Sequence, residues 1–146
     1  MRAIVTDLHA RLTAALSVPV LLPEERDVPA QAASLDAQGR PMVGGGERGL
    51  GAYLRQHPQG FIQLEEPQGI TASGAAETYW VPIGCVAPSA AASEALAREA
   101  LRVTCGLATR EPGYYTLAIP DSPRALADGA YLTRPTVSRT ALGGQL

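Results

Sequence analysis

Ile4, Leu8, Leu12 and Ala15 recur every three or four residues, and Val5 and Leu16 widen the same stripe, which is the spacing of an amphipathic helix. Pro19 disfavours helical geometry in Val18, so this helix is expected to end by Ser17. The short apolar run VPVLL, closed by Pro23, then predicts a first strand beside the sheet. In FIQLEE, Ile62 and Leu64 alternate with Gln63 and Glu65, as in a strand with one wet face. In TYWVPIGCVA, Tyr79, Val81, Ile83 and Cys85 share one face while Trp80, Pro82 and Gly84 share the other. Pro82 has no N–H to donate, which assigns it to a bulge or to the free side of an edge. The connection PQGITASGAAE is rich in turn residues and predicts a hairpin with a long mobile tip, Gly69 to Gly74.

The helical period returns after Ser89, where Ala92, Leu96, Ala100, Val103 and Leu107 form a stripe and Arg98, Glu99 and Arg102 stay off it. Ser89 or Ser93 suits the cap, and Gly106 suits the end. GYYTLAI predicts another strand, Ser122 and Pro123 a helical turn closed by Gly129, and AYLTRPTVSRTAL a last strand that Pro135 marks as an edge. Between Glu24 and Gly51 the pattern dissolves into charges, glutamine, proline and the glycines 44–46, which predicts a flexible loop inside the domain, either a plain surface excursion or an arm that orders against a partner. One or two helical turns follow between Leu50 and Gln56, before Pro58 and Gly60. The fold class is therefore α+β: a small mixed or antiparallel sheet with two main helices on one face, a long polar loop and a hairpin extension, spanning 1–146 as one domain.

Composition narrows the functions. Hydrophobic residues make up 46% and charged residues 18% of 146 residues, enough for one aliphatic core. All twelve basic residues are arginine, the formal net charge is −2 and no basic cluster occurs, which argues against nucleic-acid binding. Asp7, His9 and Arg11 interrupt the first apolar pattern, so neither a signal peptide nor a membrane span is expected there.

Catalytic chemistry finds little to work with. Cys85 falls on an apolar strand face, and a pair with His57 would need a third group to orient the base. The two histidines and two cysteines lack the short spacing that anchors zinc. Glu65 and Glu66 are adjacent on a strand and point to opposite faces, so they cannot flank a substrate. GGGERG lacks the GK[ST] ending of a phosphate loop. No catalytic, cofactor or metal residues are assigned.

The order of elements, with LRQHPQGFIQLEE leading into a hairpin and TYWVPIGCVA running into ASEALAREALRVTCGL, resembles the tail terminator proteins of long-tailed bacteriophages and related tail-like particles. Pro82 within the strand and the polar Glu24 to Gly46 stretch depart from that pattern. The resemblance implies a non-enzymatic virion protein, made in the host cytoplasm, that forms a homohexameric ring at the head-proximal end of the tail tube. It implies as partners the tube protein, a head-completion or connector protein and the tape measure protein, with no sequence-specific nucleic acid or membrane partner. Candidate contacts are Gly69, Ile70, Thr71 and Ser73 in the hairpin tip, the Glu24 to Gly46 loop, Arg48, Arg55, Arg134 and Arg139 near flexible or edge segments, and Tyr115 as an aromatic anchor. Two alternatives stand beside this one: another head-tail connector or neck protein, and a small cytoplasmic enzyme using Cys85 or His57.

Overall fold

The computed structural model of the chain describes residues 2–43, 45–73, 76–106 and 115–142. Among these the elements are α1 (Arg2–Ala15), β1 (Val20–Leu21), α2 (Leu50–Gln56), β2 (Phe61–Leu64), β3 (Gln68–Ser73), β4 (Ala76–Ala87), α3 (Ala90–Cys105), β5 (Thr116–Ile119), β6 (Arg124–Ala125), β7 (Tyr131–Thr133) and β8 (Thr136–Leu142). The fold is α+β, built on a mixed sheet.

The twelve-residue β4 is the spine of this sheet. Its C-terminal half lies between β2 and β7, with Ile62 opposite Cys85 and Thr133 opposite the same residue on the other side. Its N-terminal half lies between β3 and β8, with Gln68 and Ser138 on either side of Trp80. One half-sheet therefore runs β1-β2-β4-β7-β6 and the other β3-β4-β8-β5. β1 joins parallel to β2, and every other pairing is antiparallel.

Four sequence expectations change here. Pro82 lies in the central strand rather than on an edge: its carbonyl accepts from the Glu65 N–H at 3.4 Å, so its ring nitrogen faces the same gap, where β2 has ended and β3 has not begun. No ladder donor is needed at that point. Pro135 does not mark an edge strand either. It separates β7 from β8, and β8 is flanked by both β4 and β5. The segment expected as a mobile hairpin tip is the strand β3, and its Gly74 lies outside the described residues. The turn expected after Ser122 contains β6 at Arg124–Ala125 before a 3-10 turn at Ala127–Gly129.

Both main helices pack on one face. Ile4, Val5, Leu8 and Leu12 of α1 meet Leu96, Ala97 and Ala100 of α3 over Ile62, Leu64, Val81, Ile83, Cys85 and Val137, each large side chain contributing roughly 1.5–3 kcal/mol by leaving water. Ser89 caps α3 by accepting the Ala92 N–H at 3.1 Å, and Gly106 ends the helix with its N–H on the Arg102 carbonyl. The buried stripe of α3 includes Ser93 and Thr104, polar positions that the apolar pattern passes over. Leu107, the last residue of the expected stripe, lies outside the described residues. Ser93 bonds to the Ala90 carbonyl at 3.0 Å and lies 2.9 Å from the buried Thr133 hydroxyl, which docks α3 on β7.

The opposite face is not simply wet. Tyr53 and Leu54 of α2 cover Phe61, Val86 and Leu21 in a second, smaller core, with the Tyr53 and Phe61 rings edge to face at 5.1 Å.

Candidate functional site

The two half-sheets treat their edges differently. A strand edge exposes unpaired N–H and C=O groups that recruit other chains unless charges, proline or brevity protect it. At one end of the first half-sheet, β1 has only two residues, and His9 Nε2 lies 3.0 Å from the Val20 carbonyl. At the other end, β6 also has two residues, and its Arg124 is held by Asp121 at 2.9 Å. Asp121 also accepts the Arg134 N–H at 2.7 Å. Burial raises its pKa, but the bonds from Arg134 and Ser122 and the charge of Arg124 outweigh that and hold the carboxyl below its usual range.

The second half-sheet has no such protection. β3, QGITAS, and β5, TLAI, carry no charged residue, and each pairs on one side only among the described residues. Ile70 on β3 and Leu117 and Ile119 on β5 are 41%, 46% and 44% exposed. Each edge has one register irregularity, between Gly69 and Thr71 and between Leu117 and Ile119.

The residues singled out in the sequence fall into four groups. Gly69, Ile70, Thr71 and Ser73 belong to the β3 edge. Arg48 and Arg55 are engaged on the long loop: Arg48 donates to the Met42 carbonyl at 2.8 Å, and Arg55 pairs with Glu47 at 2.9 Å. Arg134 is on the far side of the sheet, 3.2 Å from Glu65. Tyr115 corrects the expectation of an interface anchor. It is 1% exposed and part of the main core, because its hydroxyl reaches Asp7 at 3.0 Å and ties the start of β5 to α1. Arg139 joins it, 3.3 Å from the same carboxylate and with its guanidinium 5.3 Å from the Tyr115 ring centre. Burial pushes the Tyr115 hydroxyl up to about 12 even though the bond from Arg139 opposes it. Tyr114 lies outside the described residues.

The loop between Glu24 and Gly51 is folded. After 3-10 turns at Pro23–Glu25 and Pro29–Gln31, residues 32–49 double back as an arm. Ser34 N–H donates to Glu47 O at 3.0 Å, Met42 N–H to Ser34 O at 2.8 Å, and Gly49 N–H to Ala32 O at 2.8 Å. The Gln56 side chain ties the arm to α2 through the Ala33 carbonyl at 2.7 Å. Gly44 lies outside the described residues.

Beside the arm's root, on the face opposite α1 and α3, lies an open groove of about 540 Å³ floored by Phe61, Val86 and Leu132. Leu126 stands on one wall, and Arg26 and Asp128 lie on the rim. It continues into a more polar hollow of about 800 Å³ around Gln63 and Glu65. Sequence reasoning predicted β5 as a strand but missed its place as an open edge, and it missed the groove. The uncharged TLAI run was a visible signal for such an edge, whereas the groove assembles residues too far apart in the chain to be read together.

The structure separates the chemical candidates. Cys85 is in the core under the helices, and burial pushes its thiol up to about 12. His57 stacks on Tyr53 at 4.5 Å, and Tyr53 belongs to the core on the opposite face, so Cys85 and His57 cannot act as a pair. Cys85 and Cys105 are free thiols. Among the described residues, no group of three His, Cys, Asp or Glu side chains is arranged to hold a metal, and no helix is long and apolar enough to cross a membrane. No protein family matches the chain, and no curated protein does.

Proposed function

We propose that this protein is a ring-forming structural subunit of a phage tail or tail-like particle, a terminator that caps the head-proximal end of the tail tube, ends its polymerisation and offers the surface on which the head docks. The observation that carries this reading is the pair of uncharged, half-paired strands β3 and β5 on opposite sides of one four-stranded antiparallel half-sheet. With an even number of alternating strands, the two edges run in opposite directions. Copies related by rotation about an axis along the strands therefore join β5 of one to β3 of the next in antiparallel pairing. A contact between two different patches closes into a ring when the rotation closes. The order of elements supports a terminator as the kind of ring. Its partners are then further copies of the chain, the tail tube protein, a head-completion or connector protein, and the tape measure protein at the mouth of the tube.

Electron microscopy of the purified protein, alone and with tail tube, tests the proposal. Sixfold rings are expected, on their own at high concentration or on tube ends, and the exposed-edge variant Leu117→Lys should stay folded yet form none. Twelvefold rings would point instead to a connector or neck protein. Monomers that never bind tube would refute the reading.

A further inference from the structure

Among the described residues, the arm and the groove of one copy are a knob and a hole with no partner in the same molecule. The arm turns at Asp36–Arg40, and on the returning limb, next to the Met42 that bonds Ser34, Val43 is 98% exposed, while Leu35 on the facing limb is 46% exposed. Single exposed aliphatic residues are ordinary on protein surfaces, but this one is carried on an ordered support. The backbone bonds between Ser34 and Glu47 and between Met42 and Ser34 hold the two limbs together, and the Ser34 hydroxyl adds a bond to the Glu47 carbonyl at 2.6 Å. The arm leaves the body at the groove itself, since Pro29 and Ala30 precede it, Gly49 and Leu50 follow it, and all four line the groove wall. Its outer part does not fold back into that groove, because Val43 is almost wholly in solvent.

We infer that the outer part of one copy's arm, from the Asp36–Arg40 turn to Val43, seats in the apolar groove of the next, with Val43 over the floor of Phe61, Val86 and Leu132. The charges favour a second copy as the occupant. The arm's turn bears Asp36 and Arg40, both exposed, and of the four charged residues lining the groove Glu65 and Arg134 pair with each other at 3.2 Å while Arg26 and Asp128 are exposed, so Arg26 and Asp128 each have an opposite charge available on the incoming arm. A knob and a hole at different places on one surface make a heterologous contact, the type that propagates from copy to copy. The inference rests on the proposal that copies meet head to tail, and adds a second contact to the edge pairing.

Sedimentation velocity on full-length Val43→Asp and Leu126→Arg variants, separately and mixed, tests it. Val43→Asp spoils the arm and leaves the groove intact; Leu126→Arg does the reverse. Each alone should self-associate about 10- to 100-fold more weakly than the unsubstituted protein, the loss expected for one buried aliphatic side chain. An equimolar mixture should recover a one-to-one complex through the one intact arm and the one intact groove. The inference is overturned if either variant assembles like the unsubstituted protein, if mixing restores nothing, or if removing residues 143–146 weakens assembly while Val43→Asp does not. A chain that stays monomeric at every concentration also overturns it, while the ring reading is then decided by adding tail tube. Rings that persist in both variants overturn the arm contact alone.

Discussion

Gly60 offers a sharp test of how β2 is set against the spine. It has φ of +96°, and a Cβ added there would lie 2.3 Å from the Val86 carbonyl oxygen and 3.1 Å from the Ala87 Cβ. Gly60→Ala therefore meets two separate costs. An L-residue at such a φ costs roughly 1–2 kcal/mol, and pushing β4 backbone away from a side chain that has no room costs about 1–3 kcal/mol more. The sum, about 2–5 kcal/mol, corresponds to a fall of roughly 6–15 °C in the melting temperature of a chain this size. Gly129→Ala is the control, because Gly129 has φ of +73° with no heavy atom within 4 Å of the added Cβ, so it meets the backbone cost alone. Urea unfolding of both variants, followed by circular dichroism, should place Gly60→Ala about 2 kcal/mol below Gly129→Ala. Equal losses would refute the claim that chain approach at Val86, rather than backbone geometry, requires glycine there.

Alkaline pH should unfold the protein through two buried acids. Cys85 ionises near 9 in a free chain and near 12 when folded, and Tyr115 near 10 and near 12. The native state then holds protons that the unfolded state has released. The stabilisation is complete below pH 9 and declines by about 1.4 kcal/mol per pH unit for each group, from pH 9 to 12 for Cys85 and from pH 10 to 12 for Tyr115. A Cys85→Ala, Tyr115→Phe double variant should lose that slope in denaturant titrations at stepped pH, and an unchanged slope would reject the assignment. For the α3–β7 dock, Ser93→Ala should cost about 1–3 kcal/mol by stranding the Thr133 hydroxyl in the core. The Ser93→Ala, Thr133→Val pair should cost less than the sum of its single changes in a double-mutant cycle. Additive losses would mean that the 2.9 Å contact contributes nothing.

What the sequence reveals depends on how local each cause is. The helices are legible because their causes are local: a 3.6-residue stripe sets α1, a serine cap and a glycine bound α3, and Pro58 and Gly60 limit α2 to Leu50–Gln56. β2 and β4 are legible for the same reason, as alternation is a property of neighbours. β3 is not, since GITAS has almost no apolar residues to alternate and becomes a strand only because β4 pairs with it. The last strands mislead through Pro135, because a proline between two strands in line leaves the same trace as one on an edge. Of the adjacent tyrosines, only tertiary contact with Asp7 assigns Tyr115 to the core. The arm looked structureless because its order comes from backbone bonds between its own limbs, which leave no side-chain period.

The prolines of the sheet have one more consequence. Pro67 lies between β2 and β3, Pro82 interrupts the donors of β4, and Pro135 lies between β7 and β8. Each is in the row that divides the two half-sheets, so the fabric is thinnest along one transverse line, like card scored before folding. Across such a crease each panel takes its own twist. The panel with bare edges is therefore free to adopt whatever curvature a closed circle of neighbours demands, without bending the panel that forms the groove. Amide hydrogen exchange should record this as two protection classes meeting at Pro82.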